Sequence, residues 1–269
     1  VQTGVVFNDP MANLKAAVGH LERLKSEGVD LVVFPEAFLT GYCVECQADA
    51  CGIAIGVDHP ALLGLREAAD RLDLVVVAGF AEAVGDRVRN TAVLLEPDRD
   101  PRYYYKTHLP ELGLDKFVDA GSALPVFETR LGRIALLICF DLRAPEPARA
   151  LALQGAEIIL LPTNWPVGAE VSADVLAIAR AVENRVFLAS CNRVGEENGF
   201  RFIGRSKIVH PTGKVLAAAE DDETTLIADV DLVEAREKRI VGIPGKYETT
   251  VFESRRPELY GELVRQNSG

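Results

Sequence analysis

Three features of the sequence predict an α/β fold. Short apolar runs have strand character, longer stretches repeat apolar residues at helical spacing, and the two alternate with no Ser-, Gly- and Pro-rich linker between them. The 269 residues are 48% hydrophobic, enough to bury a large core, so one domain over residues 1–269 is expected, with 241–269 as a more polar, extended tail.

Along the chain, VQTGVVF lacks an initial methionine and looks like a first strand short of a few residues. Asp9 and Pro10 read as the N-cap and first position of a helix with Leu14, Val18, Leu21 and Leu24 on one side. Residues 31–34 form an apolar strand that runs into Pro35. Pro60 opens a second helix carrying Leu62, Leu65, Ala69 and Leu72, and residues 74–80 and 91–95 read as strands. Residues 133–138 are almost continuously apolar, as in a strand buried on both faces, and Pro145 and Pro147 then open an alanine-rich helix. Residues 157–161, 186–190 and 226–230 are further strands, and Ser172 is placed to cap a helix bearing Val175, Ala179 and Val182. No internal repeat is visible.

The formal net charge is −11, from 40 acids against 29 bases, which repels phosphate backbones and anionic membrane surfaces. Nucleic acid and membrane are therefore not expected partners. With neither a signal-peptide pattern nor an apolar span of about 20 residues, a cytoplasmic protein is expected.

Cys139 ends the apolar run RIALLIC just before the helix opened by Pro145, a strand-to-helix bend of the kind that holds a nucleophile exposed at a sheet edge. Glu36 lies just past the strand at 31–34, and Lys106 follows the β-rich RYYY. Taken singly, these read as a buried cysteine, a solvated loop acid and a surface charge. Taken together, an acid, a lysine and a thiol at the C-terminal ends of three strands can converge in one crevice above a sheet.

The segments VVFPEAFLTGY around Glu36, YYYKTHLP around Lys106 and LLICFDLRAPEPARALALQGAEIILLPTNWP around Cys139 resemble those of the nitrilase superfamily of carbon–nitrogen hydrolases. RAVENRVFLASCNRVG and FIGRSKIVHPTGKVL extend the resemblance over essentially the whole chain. It implies a four-layer αββα sandwich and a catalytic Glu36-Lys106-Cys139 triad that needs no metal or organic cofactor. Family members often carry a second glutamate after the lysine; Asp115 fits that place best here, with Glu111 as the competitor. By the same analogy Tyr42, Phe140, Asn164 and Trp165 would wall the pocket. Arg143 would hold a substrate carboxylate as in carbamoyl-amino-acid hydrolases, or else pair locally with Asp141 or Glu146. Phe140-Asp141 after the cysteine matches the amidase branch, so the expected reaction is conversion of a small carboxamide to carboxylate and ammonia through a thioester; N-carbamoyl amino acids and nitriles are the alternatives. The polar tail would contribute to a homodimer or larger homo-oligomer.

A different class is offered by Cys43, Cys46 and Cys51, whose C-x2-C-x4-C spacing, with His59 nearby, suits a metal-stabilised binding module; three reduced thiols in a loop are the plainer reading.

Overall fold

The computed structural model describes residues 1–265. Its first half contains helices α1 (Pro10–Ser26), α2 (Gln47–Ile53) and α3 (Pro60–Leu72) and strands β1 (Leu31–Val33), β2 (Val75–Val84), β3 (Arg87–Leu95) and β4 (Arg102–Tyr105). These strands form one sheet in sequence order, with β1 parallel to β2 and the other pairs antiparallel. α1 starts as its sequence implies, with Asp9 Oδ1 accepting from the Ala12 amide at 2.9 Å and proline in the first turn.

The second half contains β5 (Val126–Thr129), β6 (Gly132–Leu136), β7 (Ile158–Thr163), β8 (Phe187–Asn192), β9 (Val194–Glu197), β10 (Phe200–Ile203), β11 (Lys207–Val209) and β12 (Val215–Ala218). Helices α4 (Pro145–Leu153) and α5 (Ala177–Asn184) follow β6 and β7. Six strands make a mixed sheet in the order β12-β11-β8-β7-β6-β5, and β9 and β10 form a separate hairpin.

The layering follows from the two-residue period of a strand. On β2, Val75 and Val77 pack with Ile134, Leu136 and Leu160 of the second sheet, while Val76, Ala78 and Phe80 pack with Leu21 of α1 and Leu62 and Leu65 of α3. The second sheet in turn packs on α4 through Ala148 and Leu151 and on α5 through Ala177 and Ala181. The result is the four-layer αββα arrangement. Each fully buried Val or Leu contributes roughly 1.5–3 kcal/mol, so the near-continuous burial of β2, β6 and β7 dominates the stabilising side.

Four expectations change. Residues 226–230 form no strand; they border a cavity of about 760 Å³ between the sheets, beside Leu31, Ile134 and Ile158. VQTGVVF contributes only an isolated bridge from Gln2 to Thr224. Ser172 does not cap a helix: it lies buried in a π-helical turn, Ser172–Leu176, that runs into α5. That wider turn shifts the packing face, so Ala173, Ala177 and Ala181 point inward while Val175 and Val182 are exposed. The tail is not simply extended: β13 (Arg239–Ile243) and β14 (Tyr247–Thr250) pair as a hairpin, and Phe252 lies under Arg149 and Lys238 of its own chain.

Candidate active site

Glu36, Lys106, Cys139 and Asn164 each follow the C-terminal end of a strand, respectively β1, β4, β6 and β7. The turn carrying Glu36 is held against β2 by three backbone hydrogen bonds, from Phe34 to Val77, Gly79 to Pro35 and Leu39 to Gly79. Gly79 has no room for a side chain: a Cβ there would lie 2.3 Å from the Ala37 nitrogen and 2.7 Å from the Glu36 Cα.

Lys106 is the hub. Its ammonium, fully buried, donates to Glu36 Oε1 at 2.7 Å and to Asp115 Oδ2 at 2.5 Å. Asn90 of β3 ties the two acids together, its Nδ2 donating to Glu36 Oε1 at 2.7 Å and to Asp115 Oδ1 at 2.8 Å. The Tyr42 hydroxyl donates to Asp115 Oδ2 at 2.7 Å, and the Tyr42 ring lies 5.9 Å from the Lys106 nitrogen. Gly113, in the turn that carries Asp115, has φ of 49°, and a Cβ there would meet the Tyr42 ring at 2.6 Å. The shorter acid therefore reaches the lysine because its turn is drawn tightly onto Tyr42. Glu111 is exposed.

Cys139 opens a short 3-10 turn, Cys139–Leu142, with φ of 45°. A left-handed conformation at a non-glycine residue costs about 1–3 kcal/mol and persists only where the surroundings impose it. Burial pushes the Cys139 thiol well above its ordinary pKa, and the nearby charge of Glu36 adds to this; Lys106 and an amide of Asn164 act in the opposite sense. Burial likewise raises the pKa of Glu36 against the pull of Lys106. For Lys106, burial disfavours the cation, but Asp115 and then Glu36 outweigh it and hold the ammonium above its usual range. Burial thus disfavours the thiolate and the Glu36 carboxylate, while the two acids favour the Lys106 cation. Glu36 Oε2 is buried and has no hydrogen-bond partner among the described residues.

The remaining expected residues divide. Asn164 is buried, and neither its Oδ1 nor its Nδ2 finds a partner among the described residues. Trp165 is buried in the core cluster that also contains Cys139 and Leu142, while Phe140 is 37% exposed. Arg143 is exposed and makes no salt bridge with Asp141 or Glu146 among the described residues; its Nη1 lies 3.5 Å from Ser172 Oγ. Cys43 is buried, whereas Cys46 and Cys51 are exposed. Among the described residues no group of three or more His, Cys, Asp or Glu side chains is arranged to hold a metal ion, so the C-x2-C-x4-C spacing is not realised as a ligand set.

Sequence reasoning missed Asn90 and Glu197. Glu197 Oε1 accepts from the Tyr42 and Cys43 amides, each at 2.7 Å, and its Oε2 pairs with buried Arg193. Neither carried a distinct sequence signal: Asn90 sits in the polar first half of β3, RVRNT, just before the apolar run expected at 91–95, and Glu197 is one of two adjacent acids at the end of a hairpin strand.

A family profile described as carbon-nitrogen hydrolase matches residues 1–240. A protein named nitrilase from Pyrococcus abyssi is 34% identical over 262 residues, spanning 97% of each chain. A 2-oxoglutaramate amidase from Bacillus subtilis is 32% identical over 264 residues, again 97% of each. Among solved structures, an amidase of the nitrilase superfamily from Nesterenkonia sp. AN1 superposes with a TM-score of 0.83 at 25% identity, covering 98% of this chain and 95% of that one. A glutamate-to-glutamine mutant of that amidase, with a TM-score of 0.82 at 26% identity and covering 98% and 97% of the two chains, shows the result of Michael addition of acrylamide at its active-site cysteine.

Proposed function

The chain belongs to the carbon–nitrogen hydrolase family and is a cysteine-based hydrolase of its amidase-like branch; from that premise we propose that it converts a small carboxamide to the carboxylate and ammonia. The observation that carries this reading is the division of labour on Glu36. One carboxylate oxygen is fixed by Lys106 and Asn90, and the other is buried and uncommitted, in a carboxylate close enough to Cys139 for its charge to disfavour the thiolate.

In this reading Glu36 Oε2 takes the Cys139 proton as sulfur attacks the amide carbonyl, and the C–N bond breaks once Glu36 returns that proton to the leaving nitrogen. The oxyanion of the tetrahedral intermediate is stabilised by the Lys106 ammonium and a backbone N–H at or after Cys139. Water, deprotonated by Glu36, then adds to the thioester, and collapse releases the acid and restores the thiol. Asp115, steadied by Tyr42 and Asn90, keeps Lys106 cationic and aimed. The buried, unpartnered carboxamide of Asn164 offers a donor and an acceptor to a bound amide.

Arg143, exposed and without a carboxylate partner among the described residues, favours as a second reading a substrate that itself carries a carboxylate, such as an N-carbamoyl amino acid. Ammonia release measured across aliphatic amides, carbamoyl amino acids and nitriles tests both. Amides leading, with Arg143→Ala unchanged, supports the first; a carboxylate-bearing substrate leading, with KM raised in Arg143→Ala, supports the second. Nitriles leading overturns both.

We further propose one domain, with residues 241–269 as a tail that meets a second copy of the chain. Val241, Ile243, Tyr247 and Leu259 all stand exposed on one subunit. A cytoplasmic location is proposed as well; no helix among the described residues is long and apolar enough to cross a membrane.

A further inference from the structure

Asp141 is fully buried, yet its carboxylate accepts from five donors on two separate segments. From the segment that follows Lys106, Oδ1 accepts from the Thr107 hydroxyl at 2.8 Å, the His108 amide at 2.8 Å and His108 Nδ1 at 2.9 Å. Oδ2 accepts from the Tyr104 hydroxyl at 2.7 Å, at the end of β4, and from the Ile138 amide at 2.9 Å, the residue before Cys139. The Asp141 amide donates back to the Ile138 carbonyl at 3.0 Å, closing the turn on which the thiol stands.

We propose that Asp141 is a positioning residue: its carboxylate clamps the segment carrying Lys106 to the turn carrying Cys139, and so fixes the oxyanion-binding cation relative to the nucleophile. The proposal rests on the triad reading above. The strands that lead to the two groups belong to different sheets, β4 to the first and β6 to the second, so a contact that spans both fixes their relative position in addition to the ties Lys106 makes to Glu36 and Asp115. The clamp also accounts for the backbone of Cys139. A positive φ needs over-determined surroundings, and the Ile138 amide and carbonyl are both held by Asp141 on the other side of that residue.

The electrostatics suit a permanent anion. Burial alone would raise the Asp141 pKa, but the donors from His108, Ile138 and Tyr104, with the charge of Lys106, bring it below the ordinary value. Asparagine cannot replace it, because an amide nitrogen would face an N–H or O–H donor on whichever side it turned.

The test compares Asp141→Asn with the unaltered protein in three measurements: ammonia release resolved into kcat and KM, the rate of Cys139 alkylation by iodoacetamide without substrate, and Tm. The expected result is a kcat lower by about 100-fold, the scale of an ångström-sized misplacement of reacting groups, with KM changed less than about 3-fold and alkylation slowed at least about 10-fold. A merely structural residue would lower Tm while leaving kcat per alkylatable Cys139 and the alkylation rate unchanged, and that outcome overturns the proposal. Should Asp141→Asn fail to fold, Thr107→Val decides. It removes one donor on the lysine side and leaves the Ile138 contact intact; a several-fold loss of kcat and of alkylation rate supports the clamp, and values equal to wild type overturn it. The alkylation arm needs no turnover, so absence of amidase activity in the unaltered protein would count against the proposed function and not against the clamp.

Discussion

Lys106 holds Glu36 by one oxygen only: Nζ lies 2.7 Å from Oε1, and Oε2 stays buried with no hydrogen-bond partner among the described residues. An unsatisfied buried carboxylate oxygen costs stability, and a site that tolerates it keeps an open place for a proton or a substrate N–H.

Replacing Glu36 by glutamine deletes the proposed base while preserving its shape. We expect kcat to fall by about 100- to 10,000-fold with the fold retained, measured by ammonia release and circular dichroism. The same substitution has a stability signature. Burial raises the folded pKa above the ordinary 4.5, so the folded protein keeps this proton to a higher pH than the unfolded chain does. The contribution of Glu36 is therefore fully present below the unfolded pKa and is lost as pH rises through the folded value. Glu36→Gln should gain in Tm relative to wild type as pH rises; a constant difference between pH 4 and pH 9 contradicts the raised pKa.

The same shift sets the acid limb of the rate profile. As the proposed base Glu36 acts in its ionised form, so kcat/KM should decline with falling pH at a value above the ordinary glutamate range, and a limb at or below that range would argue for another base.

Lys106→Arg should be nearly as damaging as Lys106→Ala, because a planar fork cannot place one compact charge between Glu36, Asp115 and the oxyanion. A loss of about 100- to 1,000-fold in kcat is expected for both, and near-full activity in the arginine variant would refute the oxyanion role.

Gly79→Ala probes the support beneath Glu36. The added methyl would collide with backbone at 2.3 Å from Ala37 nitrogen, which no side-chain rotation relieves. We expect a destabilisation of about 1–3 kcal/mol and a disproportionate loss of kcat, measured by denaturant unfolding and ammonia release. Wild-type kcat in a folded Gly79→Ala protein would show that the Glu36 turn tolerates displacement.

For the tail, light scattering at micromolar concentration should report a dimer. Charging the hairpin with Val241→Glu and Tyr247→Glu, both at exposed positions, should give monomers. A dimer that survives the double substitution would place the contact elsewhere, since Phe252 already folds back on its own chain through Arg149 and Lys238.

What the sequence disclosed follows from which constraints are local. The apolar runs that became β2, β6 and β7, the Asp9-Pro10 helix start and the strand-end positions of Glu36, Lys106 and Cys139 are set by neighbours in the chain. Asn90 bridges Glu36 and Asp115, residues 54 and 25 positions away, so its role exists only after β1, β2 and β3 have paired and the turn carrying Asp115 has packed against them. Asp141 was visible only in a dipeptide pattern and as a local partner for Arg143, because four of its five donors come from Tyr104, Thr107 and His108, more than 30 positions away. The α5 stripe failed where a π-turn shifted the helical face, and residues 226–230 failed because an apolar run needs a neighbouring strand to pair with.

The central claim is that Cys139 is the nucleophile of an amide hydrolase, and it is tested most directly by ammonia release from a panel of small carboxamides with the unaltered protein and with Cys139→Ala. The account predicts turnover by the first and none by the second, with equal Tm and circular dichroism spectra. Turnover at the wild-type rate in the alanine variant would contradict it.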